Sequence, residues 1–416
     1  MTLRRLAQLG GTTTHGDAAR ALALAVGGRN LIEGPALARY EAQLASGTAS
    51  AHAFAFAAGR VALFGILRGL GLGVGDEVIV PVPTHVVVTN AVRYVGATPV
   101  YADCRLSDFN VDPDAVAAAI GPRTRAIIVQ HTFGIPADLE RLLALAAEHD
   151  LPLIEDCVHA LGATWRGRPI GGIGTAGFFS TEETKIISTT MGGAAVTGDD
   201  TLAEYLRGFR RECPPPGRSL TRGRLAKLAV YHVLTEPHAH VLARPAYELF
   251  GGRNPLPVPT TPEELAGMRP PEYEQRLAAG QAEIAIRQLA GLAANLAHRR
   301  AVAAEYAAAL APHGFTAPVV ADDAEPAWVR YPLRMADRDA AKRVLRRRVV
   351  PGTWFTSVQE EALQPTINGY VAGSCPRAET AARELINLPT HQRVTPADVR
   401  ALVEIVARLE PAESRD

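Results

Sequence analysis

The stretch from residue 75 to residue 157 alternates between apolar runs and amphipathic segments, and this alternation limits the possible folds more than any other feature of the chain. The predicted strands are GDEVIVPVPTH (75–85), ATPVYADC (97–104), RAIIVQHTFG (125–134) and LPLIEDC (151–157), and the predicted helices are DPDAVAAAI (112–120) and ADLERLLALAAEHD (137–150). Strands and helices that alternate at this spacing predict an α/β fold with a mostly parallel sheet. In such sheets ligands bind at the carboxyl ends of the strands.

The length of the chain, 416 residues, is sufficient for two domains. We expect a large domain over residues 1–258, including an N-terminal arm, and a second unit over residues 259–416. The second unit begins with a long amphipathic helix predicted over residues 276–310 and ends in a smaller α/β unit. Residues 213–272 interrupt the alternation with proline-rich sequence, so we interpret them as an excursion that covers a site or a subunit contact.

Charge and cysteine content narrow the classes of partner. Lys plus Arg total 43 and Asp plus Glu total 43, and this balance argues against a nucleic acid or an anionic membrane as partner. The four cysteines lie far apart without a CxxC spacing, which favours a reducing cytoplasm over a disulfide framework or a structural zinc site. No apolar run approaches the roughly 20 residues that span a bilayer. We therefore expect a cytoplasmic protein without a membrane partner.

Two patterns that suggest cofactor or metal binding have simpler explanations. Gly172 to Gly177 match the GxGxxG pattern, but a dinucleotide site needs these glycines to open a helix, and here they lead into the predicted strand FFS. His232, His238 and His240 have an H-x5-H-x-H spacing inside the proline-rich excursion, with no cysteine nearby. We interpret these histidines as structural or interface residues, and we predict no metal site.

The candidate functional residues follow predicted strands. Asp156 lies at the end of the strand LPLIEDC, and His159 follows it by three residues. Ser180 and Lys185 belong to FFSTEETKIISTTMGGAAVT (178–197), which has the pattern of a strand, a polar turn and a second strand. Taken singly, each residue has an ordinary structural explanation, which is a strand-end cap for the aspartate and a solvated loop position for the lysine.

A further candidate is Ala58-Gly59-Arg60 at the start of the predicted helix VALFGILRGL, where backbone N–H groups and the helix dipole suit a phosphate. Together with the preceding residues, it completes a set of three groups. These are an acid to pair with a ring nitrogen, an amine to form a Schiff base, and a helix start to hold a phosphate. Pyridoxal phosphate requires these groups of a protein, so the combination predicts a pyridoxal-phosphate site.

Longer blocks of the sequence resemble the DegT/DnrJ/EryC1/StrS family, the fold-type-I, pyridoxal-phosphate-dependent sugar aminotransferases. The resemblance extends from about residue 30 to residue 408 and is weakest over residues 213–272. The blocks that carry it are, in chain order, GLGVGDEVIVPVPTH, VRYVGATPVYADC, PRTRAIIVQHTFGIPADLE, LPLIEDCVHALGATWRGRPIG, FFSTEETKIISTTMGGAAVT and ELINLPTHQRVTPADV. The resemblance implies a large domain whose mostly parallel, seven-stranded-type sheet lies between helices, and a smaller C-terminal α/β domain.

The resemblance also implies a role for each candidate residue. Lys185 takes the place of the family's Schiff-base lysine, which acts as general base and acid in the proton shift between the amino donor and the cofactor. Asp156 matches the aspartate that keeps the pyridine nitrogen protonated, so that the ring serves as an electron sink. Ser180 matches a phosphate-binding serine, and His159 matches the position beside the cofactor ring and its hydroxyl.

Three positions depart from the family pattern at the cofactor. The family usually has Ser-Gly-Thr where this chain has Ala58-Gly59-Arg60, so a threonine hydroxyl is missing, and Arg60 either supplies charge to the phosphate or points away. His85 stands where an aromatic residue commonly stacks on the pyridine face, and imidazole can also stack. The family's phosphate-binding asparagine from the neighbouring subunit has no counterpart, because residues 255–294 contain no asparagine and offer Glu272 and Glu274 instead.

The function that the resemblance implies is transfer of an amino group from an amino acid, with glutamate as the expected donor, to a ketosugar that we expect to be nucleotide-linked. Family members work as homodimers with shared active sites, and we expect the same here. A second interpretation is a sugar dehydratase or epimerase, although the family's dehydratases typically carry histidine at the position of Lys185. A third is a non-catalytic regulatory paralogue, which the altered helix start favours and the intact Asp156, Ser180 and Lys185 disfavour.

Overall fold

A seven-stranded sheet forms the centre of the computed structural model, which describes residues 4–8, 11–241, 259–364 and 366–413. The strands are β1 (His52–Phe56), β2 (Glu77–Pro81), β3 (Thr84–His85), β4 (Thr98–Ala102), β5 (Thr124–Gln130), β6 (Leu153–Asp156), β7 (Thr164–Trp165), β8 (Arg168–Pro169), β9 (Ala176–Ser180), β10 (Gly193–Thr197), β11 (Ala324–Glu325), β12 (Arg330–Arg334), β13 (Gln359–Glu360) and β14 (Leu385–Pro389). The order in the sheet is β1-β10-β9-β6-β5-β2-β4. From β4 to β9 the neighbours are parallel, whereas β10 is antiparallel to both β9 and β1. The predicted α/β fold with a mostly parallel sheet is confirmed.

Helices cover both faces of this sheet. The helices are α1 (His15–Gly27), α2 (Pro35–Gly47), α3 (Gly59–Gly69), α4 (Val86–Tyr94), α5 (Pro113–Ala119), α6 (Leu139–Glu148), α7 (Asp200–Glu212), α8 (Arg218–Leu234), α9 (Pro262–Leu265), α10 (Ala279–Ala290), α11 (Leu292–Leu310), α12 (Arg338–Leu345), α13 (Pro376–Glu384) and α14 (Pro396–Val406). In β5, Ile127 and Val129 join the core beneath α2 and α6, while Ile128 joins the core beneath α3 and α7. A strand buried on both faces needs a continuous apolar run, which is what RAIIVQHTFG supplies. None of the described helices is both long and apolar enough to cross a lipid bilayer.

The C-terminal part of the chain has a core of its own. There β12 and β14 pair antiparallel, and α11, α12 and α14 contribute Tyr306, Leu345 and Leu402 to the core. The predicted domain boundary at residue 258 falls at the edge of residues 242–258, outside the described residues, and it stays a prediction.

The prediction of a single long helix over residues 276–310 is wrong. The structure has two helices, α10 and α11, that are separated by Gly291. Glycine favours the helix less than any residue except proline, so a break at this position has a local cause. Because of the break, α10 packs against α1 and α2, whereas α11 packs against α14 in the C-terminal core.

The proline-rich excursion contains α8, which is longer than the helical patch LAKLAVYHVL in its sequence. Leu225 and Leu228 of α8 lie in a small core with Leu24 of α1 and Ile284 of α10. The three histidines near the end of α8 contact the N-terminal arm. The contacts join His232 to His15, His238 to Arg4 and His240 to Arg5. These contacts support the structural role predicted for the histidines.

Candidate active site

One cleft brings together all the residues that the sequence predicts to bind the cofactor. They are Gly59, Arg60, His85, Asp156, His159, Ser180 and Lys185, and they line a cleft of about 940 Å³. Asp156 and Ser180 are the last residues of β6 and β9, and Gly59 is the first residue of α3. The cleft therefore lies at the carboxyl ends of the parallel strands, where sheets of this type bind ligands. Trp354 and Glu361 from the C-terminal part of the chain also line it, and nothing in their sequence context predicted this.

Asp156 presents an unpaired oxygen to the cleft. The side chain is fully buried, and its Oδ1 accepts a hydrogen bond from the backbone N–H of Val158 at 3.1 Å. Its Oδ2 is buried and has no hydrogen-bond partner among the described residues. Burial raises the pKa of Asp156 to about 7, against the effects of Val158 and the charge of Lys185. A buried carboxylate oxygen without a partner is unfavourable, so the site fits a ligand that offers a cationic N–H, such as a pyridinium.

Glu155, the neighbour of Asp156 in β6, is equally buried but has a full set of hydrogen-bond partners. Adjacent strand residues point to opposite faces, and the Glu155 carboxylate accepts hydrogen bonds from the backbone N–H groups of Gly171, Ile173 and Gly174. It also lies 3.2 Å from His131 Nε2. Although burial opposes ionisation, these hydrogen bonds lower the pKa of Glu155. The fold satisfies this carboxylate fully. We therefore interpret the buried cluster of His131, Glu155 and Cys157 as structural and not as a metal site.

Lys185 lies in the loop between β9 and β10, and its amine faces the cleft. Its Nζ lies 4.2 Å from the centre of the Trp354 indole ring. Burial lowers the pKa of Lys185 to about 8, although the nearby Glu182 carboxylate acts in the opposite direction. A substantial fraction of the amine is therefore neutral near pH 8, and a neutral amine is the form that attacks a carbonyl group.

His159 forms part of an aromatic wall of the cleft. Its ring stacks on the Trp354 indole with the ring centres 4.6 Å apart and the planes inclined by 19°. Its Nδ1 is buried without a hydrogen-bond partner among the described residues. Burial, and then the positive charge of Lys185, lower the pKa of His159 well below its ordinary value, so the imidazole is neutral. A neutral ring can accept a hydrogen bond from a ligand hydroxyl at the unprotonated nitrogen.

His85 is held in one tautomer by two contacts. Its Nδ1 accepts a hydrogen bond from the backbone N–H of Val87 at 3.3 Å, and its Nε2 lies 3.2 Å from Glu361 Oε2. The proton is therefore on Nε2, which donates to the carboxylate. Burial opposes ionisation of Glu361, but the contact with His85, together with Thr260, lowers its pKa to about 2. The parallel pairing of β3 with β13 sets His85 opposite Glu360, and Glu361 follows β13 directly, which brings its carboxylate within reach of the imidazole.

The start of α3 and the end of β9 form a tight polar corner, which we call the phosphate cradle (Gly59, Arg60 and Ser180). Ala58 provides no side-chain cap for the helix. A Cβ on Gly193 would lie 2.2 Å from the Gly59 nitrogen, so only glycine lets β10 approach the helix start this closely. The hydroxyl of Ser180 accepts the N–H of Glu182 at 3.3 Å and has no acceptor of its own among the described residues. The cradle thus retains donors for an anion.

The guanidinium of Arg60 is already engaged. It forms an ion pair with the buried carboxylate of Glu264, and its Nη2 donates to the Pro259 carbonyl at 3.0 Å. Of the two orientations that the sequence left open for Arg60, the structure has the side chain at the edge of the cleft with its charge compensated by Glu264. The side chain itself lines the cleft, but its charge is not free for a ligand.

This fold and this site define a class of protein. A mostly parallel seven-stranded sheet, with a lysine after β9 and a buried aspartate at the end of β6, is the architecture of the fold-type-I transferases. The chain belongs to the DegT/DnrJ/EryC1/StrS aminotransferase family, whose sequence profile matches residues 13–242 and 259–407. The family resemblance predicted from the sequence is confirmed, and the protein is an aminotransferase.

Known relatives share much of the chain. The dTDP-3-amino-3,4,6-trideoxy-alpha-D-glucose transaminase of Streptomyces venezuelae is 35% identical over 366 residues, which cover 87% of this chain and 83% of that protein. The L-glutamine:scyllo-inosose aminotransferase of Streptomyces griseus is 41% identical over 226 residues, which cover 52% of this chain and 53% of that protein. The crystal structure of S. venezuelae DesV in complex with a ketimine intermediate is 32% identical, with a TM-score of 0.74 and coverage of 94% of each chain.

Proposed function

We propose that this aminotransferase uses pyridoxal phosphate to transfer an amino group from glutamate to a nucleotide-linked ketosugar, in amino-sugar biosynthesis for a surface polysaccharide or a natural product. The observation that carries the proposal is the presence, in one cleft, of the Lys185 amine and the buried, unpaired Oδ2 of Asp156. The proposal includes a homodimer with shared active sites, as the family resemblance implies.

The residues of the cleft fit the chemistry that transamination needs. Pyridoxal phosphate, when bound, supplies an aldehyde for an amine and a ring that withdraws electrons from the reacting carbon. Asp156 Oδ2 would hold a proton on the ring nitrogen, and Lys185 Nζ would take up and return the proton that is moved. His159 Nδ1 would accept a hydrogen bond from the ring hydroxyl. The Trp354 indole stacks on the His159 ring and covers one of its faces.

The relatives support the substrate class. The S. venezuelae relative, which matches over most of both chains, is named for a dTDP-linked amino sugar, and this supports a nucleotide-linked ketosugar. The S. griseus relative is named for glutamine and scyllo-inosose, a cyclitol, but it matches over about half of each chain. We therefore place the nucleotide-linked ketosugar first, and a test of the donor should include glutamine beside glutamate.

Two other functions fit the cleft less well. A dehydratase or epimerase remains compatible with the aspartate, but Lys185 stands where the family's dehydratases typically carry histidine. A non-catalytic subunit would gain nothing from a buried carboxylate oxygen without a partner, because such a group destabilises the fold unless a ligand satisfies it. The geometry at Asp156 and Lys185 therefore favours catalysis.

The colour of the purified protein tests the proposal. We expect protein supplied with pyridoxal phosphate to absorb above 400 nm, and Lys185→Ala to lose this band while the control Lys342→Ala, at a half-exposed position of α12, keeps it. Glutamate alone should discharge the band, and the correct ketosugar should restore it. A band that survives glutamate and glutamine would contradict transamination, and a band that survives Lys185→Ala would contradict the role of the lysine. Sedimentation analysis of the same sample tests the homodimer.

A further inference from the structure

A second cavity opens beside the cleft, on the outer side of the phosphate cradle. It spans about 1350 Å³, part of it open to solvent, and Ala58, Arg60, Met191 and Pro259 line both spaces. One wall of this second cavity is α8, the helix of the proline-rich excursion, which no part of the proposed mechanism uses. The position of the cavity makes it a place where a ligand in the cleft could receive further contacts.

Three described cations line the second cavity, and two of them are paired with carboxylates. Arg60 forms its ion pair with Glu264, and the Nζ of Lys227 lies 2.5 Å from Glu183 Oε1. Arg224 of α8 has no carboxylate partner among the described residues. Its Nη1 is buried without a hydrogen-bond acceptor there.

Met191 links the side chain of Arg224 to the phosphate cradle. The Nη2 of Arg224 lies 3.7 Å from the sulfur of Met191, a weak acceptor. Met191 lines both cavities, and Gly193, two residues further on, pairs with Ser180 and packs against the Gly59 nitrogen. A buried guanidinium nitrogen without an acceptor is unfavourable, and the planar donor fork of arginine matches the oxygens of phosphate, as it does those of carboxylate.

We propose that Arg224 binds a phosphate group at the junction of the two cavities. It would supply the contact that the absent threonine hydroxyl and the absent asparagine leave unmade in this chain. The inference rests on the proposed function, because that function brings two sources of phosphate to this corner. They are the phosphate of the cofactor and the diphosphate of a nucleotide-linked sugar, and the two can be separated by experiment.

Affinity measurements on Arg224→Gln test the cofactor as the source. The apoenzyme is titrated with pyridoxal phosphate and, separately, with pyridoxal, which lacks the phosphate. A lost charge-assisted contact should raise the Kd for pyridoxal phosphate by about tenfold or more and leave the Kd for pyridoxal unchanged. Arg222→Gln, which removes an exposed charge from the same helix, should change neither. Arg224→Lys should recover part of the affinity, because it keeps the charge without the planar fork.

Calorimetry with dTDP and with UDP on the holoenzyme tests the other source. If the diphosphate is the ligand, Arg224→Gln weakens binding of one of these nucleotides by a similar factor and leaves the Kd for pyridoxal phosphate unchanged. Equal affinities of Arg224→Gln, Arg222→Gln and the wild type for all of these ligands would overturn the inference. Should Arg224→Gln fail to fold, Arg224→Lys is compared with Arg222→Lys in both assays, and equal affinities again overturn it. A wild-type protein that does not bind pyridoxal phosphate would instead contradict the proposed function.

Discussion

The two ends of the cleft satisfy their polar groups in different ways. At the ring end, Asp156 Oδ2 and His159 Nδ1 are buried without partners among the described residues. At the helix end, Arg60 is paired with Glu264 and with the Pro259 carbonyl. Buried polar groups in folded proteins are nearly always hydrogen-bonded, so two unpaired groups that line one cleft indicate a place where a ligand binds. The charge of Arg60 is compensated within the fold, whereas Oδ2 of Asp156 has no partner among the described residues, as the proposed function requires.

The same difference separates two adjacent residues of β6. Glu155 accepts three backbone N–H groups and lies against His131, while Asp156 accepts one N–H and keeps one oxygen free. The comparison predicts that Glu155 contributes to stability and Asp156 to activity. Substitution of each residue by its amide provides a test in which the two effects should separate.

The largest expected effect is the loss of activity in Asp156→Asn. An amide cannot hold the ring nitrogen protonated, so kcat should fall by about 10²- to 10⁴-fold. Circular dichroism should show an intact fold. The control Asp322→Asn, at an exposed loop position, should retain wild-type kcat. If Asp156→Asn kept kcat within about tenfold of the wild type, the role of Asp156 in holding the ring nitrogen protonated would be refuted.

The reverse effect is expected for stability. Glu155→Gln places an NH₂ group against backbone N–H donors, and breaking a buried, fully bonded carboxylate should lower the free energy of unfolding by about 3 kcal/mol. Asp156→Asn should leave the stability of the apoenzyme unchanged or raise it, because it removes a buried charge that lacks a full set of partners. Urea unfolding of both apoenzymes at pH 7 measures the difference. Equal losses in the free energy of unfolding would show that the two carboxylates contribute equally to stability.

A change of pH should have a smaller effect, which is on the rate at which Lys185 reacts with the cofactor. Because burial lowers the pKa of this amine to about 8, the neutral, reactive form increases with pH up to that value and then levels off. The rate at which apoenzyme develops absorbance above 400 nm should therefore rise by about 25-fold from pH 6.5 to 8.5 and little beyond. An ordinary lysine would give a rate that still increases at pH 10. That outcome would mean that burial in the cleft does not lower the pKa of Lys185.

The residues around the proposed cofactor ring could be predicted from the sequence because they follow strands of the central sheet. Asp156 and Ser180 end β6 and β9, and the alternation of strands and helices fixes where such residues meet. The pairing of Arg60 with Glu264 could not be predicted, because it depends on the path by which the chain returns after residue 258. The break at Gly291 was also missed, since the apolar spacing continues across the glycine and periodicity alone does not show a change of packing partner.

The residues of the C-terminal part that reach the cleft were beyond prediction for a similar reason. Trp354 and Glu361 lie in the stretch TWFTSVQEEAL, which has no regular apolar period and no turn motif. They reach the cleft because β13 pairs with β3, two short strands that lie far apart in the sequence. Pairing over such a distance is decided by tertiary packing and leaves no local mark in the sequence.

The smallest predicted effect concerns this last connection, between Glu361 and His85. Because Glu361 fixes the tautomer and orientation of the imidazole, Glu361→Ala should raise the Kd for pyridoxal phosphate by about three- to tenfold, the range of one hydrogen bond. In a His85→Phe background, with an aromatic residue at this position, the same substitution should have no further effect. The control Glu263→Ala, at an exposed position of α9, should leave Kd unchanged in both backgrounds. If Glu361→Ala were equally harmful with phenylalanine at position 85, the carboxylate would act on the ligand directly and not through the histidine.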